Sequence, residues 1–464
     1  VPVVQATTIF SAVSQTTKLA IFFAIIFLLS TLGFLAANAV VIVTNTIYQG
    51  VMVADIDLGG LSEERAKQKL LAVYHARTAE PIQLIYASKT WTVSAADIEL
   101  TIDADQLARE AYQVGRTGPI VAQLKERYLA VNQGYRIPLS ISYNTEKLNQ
   151  LLIGISQAID IPPKDATLIL LKENKLVLIP DEFGQKLNIV KTTEDITTSI
   201  TTQGIFSINL TVDKTMPQTS SADLQEIDRV LASYTTQFDS SDTNRSENIY
   251  LAAKSINNTL VRRDDSFSFN LVVGPRLADR GFKKAPGYIN GVLVPDWGGG
   301  VCQVSSTVYN AALMADMTIV ERTSHIRPPA YLPLGQDATV ADNLLDFIFR
   351  NTTSGNIYLK TDAVGNQLTV TILGKYSEHT PEIQIVATST KTIEPKTIIK
   401  QDVALELGKQ EVEVDGLKGF LVTTYRIKKL NGKETSRELL STDEFESVDT
   451  VVRIGSKAPK KTSK

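Results

Sequence analysis

The chain has a single cysteine, Cys302, among 464 residues, and only three histidines, His75, His325 and His379. One cysteine excludes an intrachain disulfide, and histidines so far apart form no recognisable zinc motif. Nothing in the sequence calls for a metal or a cofactor. Basic charge is also missing: the net charge is −3, and no stripe of Lys and Arg interleaved with aromatics occurs, so nucleic acid is a poor candidate partner. What is present is ordinary, 43% hydrophobic and 21% charged residues, over a length that suggests roughly three domains of ~150 residues.

Residues 19–43 contain no charged side chain and are nearly all apolar. About 20 such residues span a bilayer core, so this run predicts a transmembrane anchor over 19–44, with 1–18 cytoplasmic and Lys18 the one basic residue on that side. The competing reading is a signal peptide cleaved near Ala39, because Ala37-Asn38-Ala39 has the small-x-small form of a processing site. The run continues past that site and exceeds the roughly 7–15 residues of a signal peptide's apolar region, which favours the uncleaved anchor. On either reading the rest of the chain lies outside the membrane.

Beyond residue 50 the pattern is mixed. A short strand at Val51-Met52-Val53 precedes a helix that Ser62 caps and Glu63 and Glu64 charge at its start. Strands at 82–86 and 90–93 and a helix at 104–112 complete an α+β unit assigned to 50–138, which includes a connector over 116–138. A related order follows over 139–215: helix 145–159, strands 167–171 and 175–179, a turn at 181–184 and helix 189–199. The two read as a diverged repeat. The second contains Ala158-Ile159-Asp160, Pro162-Pro163-Lys164-Asp165-Ala166 and Pro180-Asp181-Glu182-Phe183-Gly184. It resembles the peptidoglycan-binding domain found attached to YkuD-type transpeptidases, although no Ser-His-Gly-Cys motif of the transpeptidase itself occurs. The same residues also serve as ordinary turn punctuation.

After a polar link at 216–223 comes a segment with Phe267-Ser268-Phe269-Asn270, Gly274-Pro275-Arg276, Ala285-Pro286-Gly287-Tyr288 and the run Gly298-Gly299-Gly300-Val301-Cys302-Gln303-Val304-Ser305-Ser306-Thr307-Val308-Tyr309-Asn310-Ala311-Ala312. Downstream stand Glu321-Arg322-Thr323-Ser324-His325 and Gln336-Asp337-Ala338-Thr339-Val340. These elements resemble the VanW family, named for its presence in glycopeptide-resistance clusters, and the domain is assigned to 225–375. The part at 382–456 alternates as strands, with an Asn431-Gly432 hairpin turn. Its glycines, Gly408, Gly416, Gly419, Gly432 and Gly455, are spaced as in the G-five domain, which implies binding to polymers containing N-acetylglucosamine. Residues 457–464 read as a disordered basic tail. The fold class expected is α+β multidomain: an N-terminal transmembrane helix, α+β peptidoglycan-binding-like units, an α+β VanW domain and an all-β C-terminal module.

The chemistry concentrates at the glycine-cysteine junction. Three glycines feed an apolar-periodic segment, so Cys302 falls in a helix's first turn, where unpaired N–H groups and the helix dipole favour a thiolate. A lone cysteine is as readily a small buried apolar residue. A nucleophilic thiolate needs a base, and the nearest in sequence is His325. Asp337, Asp342 and Asp346 are the candidate carboxylates to orient the imidazole, Asp337 being favoured. The order of cysteine, histidine and acid is similar to that of transglutaminase-like and papain-like enzymes. Gln303, Arg276, Arg322, Ser305 and Ser306 are candidate substrate-binding residues: Gln303 for an oxyanion, the arginines for a substrate carboxylate. The arginines equally suit structural ion pairs, and the serines suit packing within the helix. Two functions are expected: a wall-binding protein whose modules contact peptidoglycan, and a cysteine-dependent enzyme cutting a peptide or amide bond of the wall.

Overall fold

The computed structural model describes residues 14–43, 45–202, 207–289, 292–378 and 380–457. His379, most of the expected cytoplasmic segment and residues 458–464 of the expected tail lie outside them. The described residues mix helix and strand, with a lone apolar helix at the N-terminus and strands alone at the C-terminus, and the chain divides into two units, 1–162 with 185–215, and 163–184 with 216–464.

The first unit begins with helix Gln15–Val43, whose stretch Gln15–Gly33 has a mean hydropathy of 1.9 and no buried residue. Among the described residues it is the one helix long and apolar enough to cross a membrane. Two apolar cores follow. In one, Val51–Val53 runs between Ile56–Asp57 and Tyr135–Ile137 and buries Val51 and Val53 against Leu70, Leu107 and Ala111. Ser62 does cap its helix, Glu63–Thr78, by accepting from the Arg65 N–H. The expected connector contains a further helix, Ile120–Gln133, whose Arg127 is buried because its guanidinium donates to the Gly115 carbonyl and lies over Tyr48.

The second core does not respect the sequence boundary at 138. Strands Ile82–Tyr86 and Lys89–Val93 join Ser207–Asn209 in one sheet, and Leu84 and Val93 pack there against Leu148, Leu152, Ile155 and Ile159 of helix Thr145–Ile159. Nor is the segment 139–215 one body. Its hairpin, Thr167–Leu170 with Leu176–Ile179, belongs to the second unit, because Ala166 and Leu168 bury against Leu224, Ile227, Tyr358 and Leu373. Alternation shows which face of a strand is apolar but not which distant surface will cover it.

The second unit is built on a four-stranded antiparallel sheet, in spatial order Arg229–Gln237, Gln367–Gly374, Ile357–Val364, Thr259–Val261. Helix Thr243–Ile256 ends where the chain turns into strand Thr259–Val261. With helix Val301–Met314 it fills one core together with the aromatic group Phe267, Phe347, Phe349 and Tyr309. A smaller sheet, Ser266–Ser268, Ile348–Arg350 and Thr318–Glu321, lies beside it in the order of pairing. The C-terminal module is two three-stranded sheets, Glu382–Ile393, Gly419–Leu430, Lys433–Phe445 and Thr397–Glu406, Thr450–Lys457, Gln410–Val414. Asn431 and Gly432 make its hairpin with φ of 51° and 75°, the left-handed pair that matches strand twist.

Candidate active site

Helix Val301–Met314 is buried over nearly its whole surface, polar residues included. Its entry depends on glycine. Gly300 caps the helix at φ 104°, a conformation L side chains rarely adopt, and a Cβ on Gly299 would lie 2.5 Å from the Ala285 carbonyl oxygen. The close approach sets Cys302 into the first turn, partly exposed, with its Sγ 3.5 Å from the Val340 carbonyl oxygen.

His325 follows strand Thr318–Glu321 on the loop that leads to Asp337 and Val340. Asp337 is the carboxylate that meets the imidazole: its Oδ2 lies 2.5 Å from His325 Nδ1 and accepts the His325 backbone N–H at 2.6 Å. That contact occupies Nδ1, and the imidazole and the Cys302 thiol lie close enough for each to shift the titration of the other. Asp342 instead pairs with Arg276, and Asp346 accepts from Ser268 Oγ and from the Asn270 and Phe347 N–H groups. Of the three acids weighed from the sequence, the geometry selects Asp337.

The charges reinforce one another. Burial pushes the thiol up, but contact with His325 and its positive charge more than offset this, so the Cys302 thiol is held below its ordinary value. Burial pushes the imidazole down, yet the bond to Asp337, the contact with Cys302 and the two negative charges raise it to about 9. Asp337 is fully buried, which favours its neutral form, but the His325 bond and the Arg322 charge keep it below the usual carboxylate range. Each of the three groups thus favours the charged form of its neighbour.

The other candidates from the sequence sit close by but are committed to partners. Gln303 donates to Thr236 Oγ1 at 3.0 Å and the Gln237 carbonyl at 2.8 Å, and accepts from Arg245 at 2.7 Å, so its amide is used within the core. Ser305 donates to the Ala338 carbonyl at 2.6 Å, and Ser306 accepts the Ala338 N–H at 2.9 Å. The two hydroxyls thereby pin the residue next to Asp337 onto the helix. Arg276 bonds Asp342 and Asn270, with Cys302 within reach of its charge. Arg322 holds Asp337 twice, Nη2 to Oδ1 at 3.1 Å and Nε to the backbone carbonyl at 2.6 Å, and its third nitrogen reaches Asp443 of the C-terminal module at 2.6 Å.

Sequence reasoning missed four neighbours. Asn310 donates to the Gln336 carbonyl, and its spacing of four from Ser306 was the available signal. Tyr331 is partly buried beside Ser306, and burial first, then the charge of Cys302, hold its phenol well above the ordinary range. Arg245, on helix Thr243–Ile256, anchors Gln303. Asp443 is more than a hundred residues from everything it serves, and no local pattern marks it.

Comparison with known proteins agrees with this architecture. The family profile for VanW like protein matches residues 244–373, a peptidoglycan binding domain profile matches 91–204, and the G5 domain profile matches 385–457. The uncharacterized protein YoaR of Bacillus subtilis is 35% identical over 228 residues, which cover 49% of this chain and 74% of that protein. The vancomycin B-type resistance protein VanW of Enterococcus faecalis is 32% identical over 147 residues, 30% of this chain and 52% of that one. Among solved structures, an IgA1 protease G5 domain matches 18% of this chain and 99% of its own length at 28% identity, with a TM-score of 0.14. The peptidoglycan binding match begins inside strand Lys89–Val93, in keeping with a second core that draws on both sequence blocks. With its glycine-cysteine helix inside the matched region and wall-associated domains on either side, the chain belongs to the VanW-like family, as a cell-wall-associated member.

Proposed function

We propose that the protein is a cysteine-dependent enzyme acting on a peptide or amide bond of peptidoglycan, held at the membrane by its N-terminal helix and at the wall by its accessory domains. The observation that carries this reading is the triad: a first-turn thiol against an imidazole whose Nδ1 lies 2.5 Å from the buried Asp337. A thiolate at a helix N-terminus beside a cationic imidazole is an activated nucleophile.

In the reaction, the Cys302 sulfur attacks the carbonyl carbon and the carbonyl π electrons move onto oxygen. The Val301 and Gln303 N–H groups already donate to the Gly298 and Gly300 carbonyls, so in this reading the Cys302 backbone N–H meets that negative charge. His325 then gives its ring proton to the leaving amine as the C–N bond breaks, which leaves a thioester on Cys302 and a neutral imidazole. Water, or an amine of a second stem peptide, loses a proton to His325 and attacks the thioester. Cleavage follows with the first acceptor and cross-linking with the second.

The test uses the full chain in detergent micelles with isolated sacculi and soluble muropeptides, and mass spectrometry of the products. New fragments or cross-links are expected, falling about 1,000-fold or more in Cys302→Ala. Identical products from the folded variant would sink the reading. Wall binding does not need the thiol, so Cys302→Ala is expected to sediment with sacculi as the parent does.

A further inference from the structure

We infer that the G5 module is part of the site rather than only a wall-binding appendage: Asp443 is a positioning residue that orients Asp337, and through it His325, by fixing the plane of Arg322. The inference rests on the triad reading above and adds to it a residue from a separate domain.

A guanidinium is a flat, rigid fork, so fixing one of its nitrogens fixes the directions of the others. In Arg322 the nitrogen that Asp443 fixes is Nη1, and the two that remain, Nε and Nη2, are those that hold the Asp337 backbone and carboxylate. All three side chains are out of water, at 6% exposure for Arg322, 0% for Asp337 and 8% for Asp443. A buried cation that loses one partner cannot turn to solvent without abandoning the other. Asp443 is itself steadied by Ser441, which donates to its second oxygen at 2.8 Å.

The module also holds the loop that carries both base and acid. The Glu446 N–H donates to the Ile326 carbonyl at 2.9 Å, one residue beyond His325. Thr424 donates to the Gly335 carbonyl at 3.3 Å, two residues before Asp337. On the opposite side the same loop is tied to helix Val301–Met314 by Ser305, Ser306 and Asn310. Loop 322–337 has no helix or strand ladder of its own. Its geometry is therefore set by this clamp. The charged and titratable groups that face the chain of contacts are Cys302, Arg276 and Tyr331 on the thiol side, and Tyr309, Arg426 and Asp443 around Arg322 and Asp337.

Because Cys302 is the only cysteine, iodoacetamide reads its thiolate directly, by intact mass and without a known substrate. The assay is the pH profile of alkylation in the full-length protein in detergent micelles. Asp443→Asn is expected to slow alkylation at pH 7 about three- to tenfold while the protein keeps its thermal transition. Arg322→Lys, which retains charge but not the fork, is expected to do the same and serves as a second probe if Asp443→Asn does not fold. Glu438→Gln removes a neighbouring module carboxylate that bonds Arg426 instead, and is expected to stay within about twofold of the parent. A parental profile in folded Asp443→Asn or Arg322→Lys overturns the inference, as does an equal loss in Glu438→Gln. His325→Ala separates the two levels. If it leaves the profile unchanged the enzyme reading itself fails, whereas a changed profile in His325→Ala beside a parental Asp443→Asn removes only the role of the module.

Discussion

Helices Thr145–Ile159 and Val301–Met314 are similar in length, and each packs against a sheet, yet they are buried in different ways. The first hides Leu148, Leu152, Ile155 and Ile159, a single apolar stripe, and leaves the rest toward solvent. The second hides twelve residues around its full circumference, among them Gln303, Ser305, Ser306, Thr307 and Asn310. Burying a stripe of leucine and isoleucine stabilises a fold with no demand on partners. Burying hydroxyls and amides costs free energy unless they find bonds, and here Ser305, Ser306 and the Asn310 amide nitrogen bond the segment that follows from His325 through Asp337 to Ala338, while Gln303 and Thr307 bond Thr236. The comparison separates a helix that supports a domain from one that organises a site.

The contrast breaks most sharply at Asp337. Asp337→Asn keeps the shape but removes the anion behind the imidazole, and a fall of about 10,000-fold in any wall-cleaving or cross-linking rate is expected. The sign with pH follows from His325. Its folded value of about 9 lies above its ordinary 6.5, so the stability that the charged imidazole contributes is fully present below pH 6.5 and is lost as pH rises through 9. The parental alkylation profile should therefore stay level through neutral pH, with its upper break near 9. In Asp337→Asn that break is expected to move down. A break that stays where it was would separate the carboxylate from the thiol.

Next in size is Leu152→Ala in the amphipathic helix, where loss of a fully buried side chain should cost about 2–5 kcal/mol. Chemical denaturation of the first unit's transition would measure it, and the alkylation profile of Cys302 should be untouched. Ser306→Ala should cost less, about 1–3 kcal/mol, for the orphaned Ala338 N–H. It should nevertheless slow alkylation, because the residue beside Asp337 loses an anchor. A variant that loses stability with no change in the thiol would place Ser306 with Leu152, as a support alone.

Much of the architecture was legible along the chain. The apolar run at the N-terminus, the stripe of helix Thr145–Ile159, the Ser62 cap and the Asn431-Gly432 turn follow from periodicity and local backbone preference. The boundary at 138 and the integrity of 139–215 were not legible. Strands Ile82–Tyr86 and Lys89–Val93 find their cover across that boundary, and hairpin Thr167–Leu170 with Leu176–Ile179 finds it beyond residue 215. Covering an apolar face is a long-range event that local patterning does not encode.

At the site, the sequence by itself determined three things: a thiol at a helix start, a histidine after the next strand, and a short choice of acids. Residue type and spacing suffice there, since glycines before an apolar-periodic run dictate a loop-to-helix junction. Only the tertiary structure decided which acid meets the ring, that Gln303 is consumed within the core, and that Arg322 joins Asp337 to Asp443 across 106 positions of chain. Directional bonds between buried charges depend on distances of about 3 Å. Those distances exist only after the helix, the loop and the C-terminal sheet have packed together.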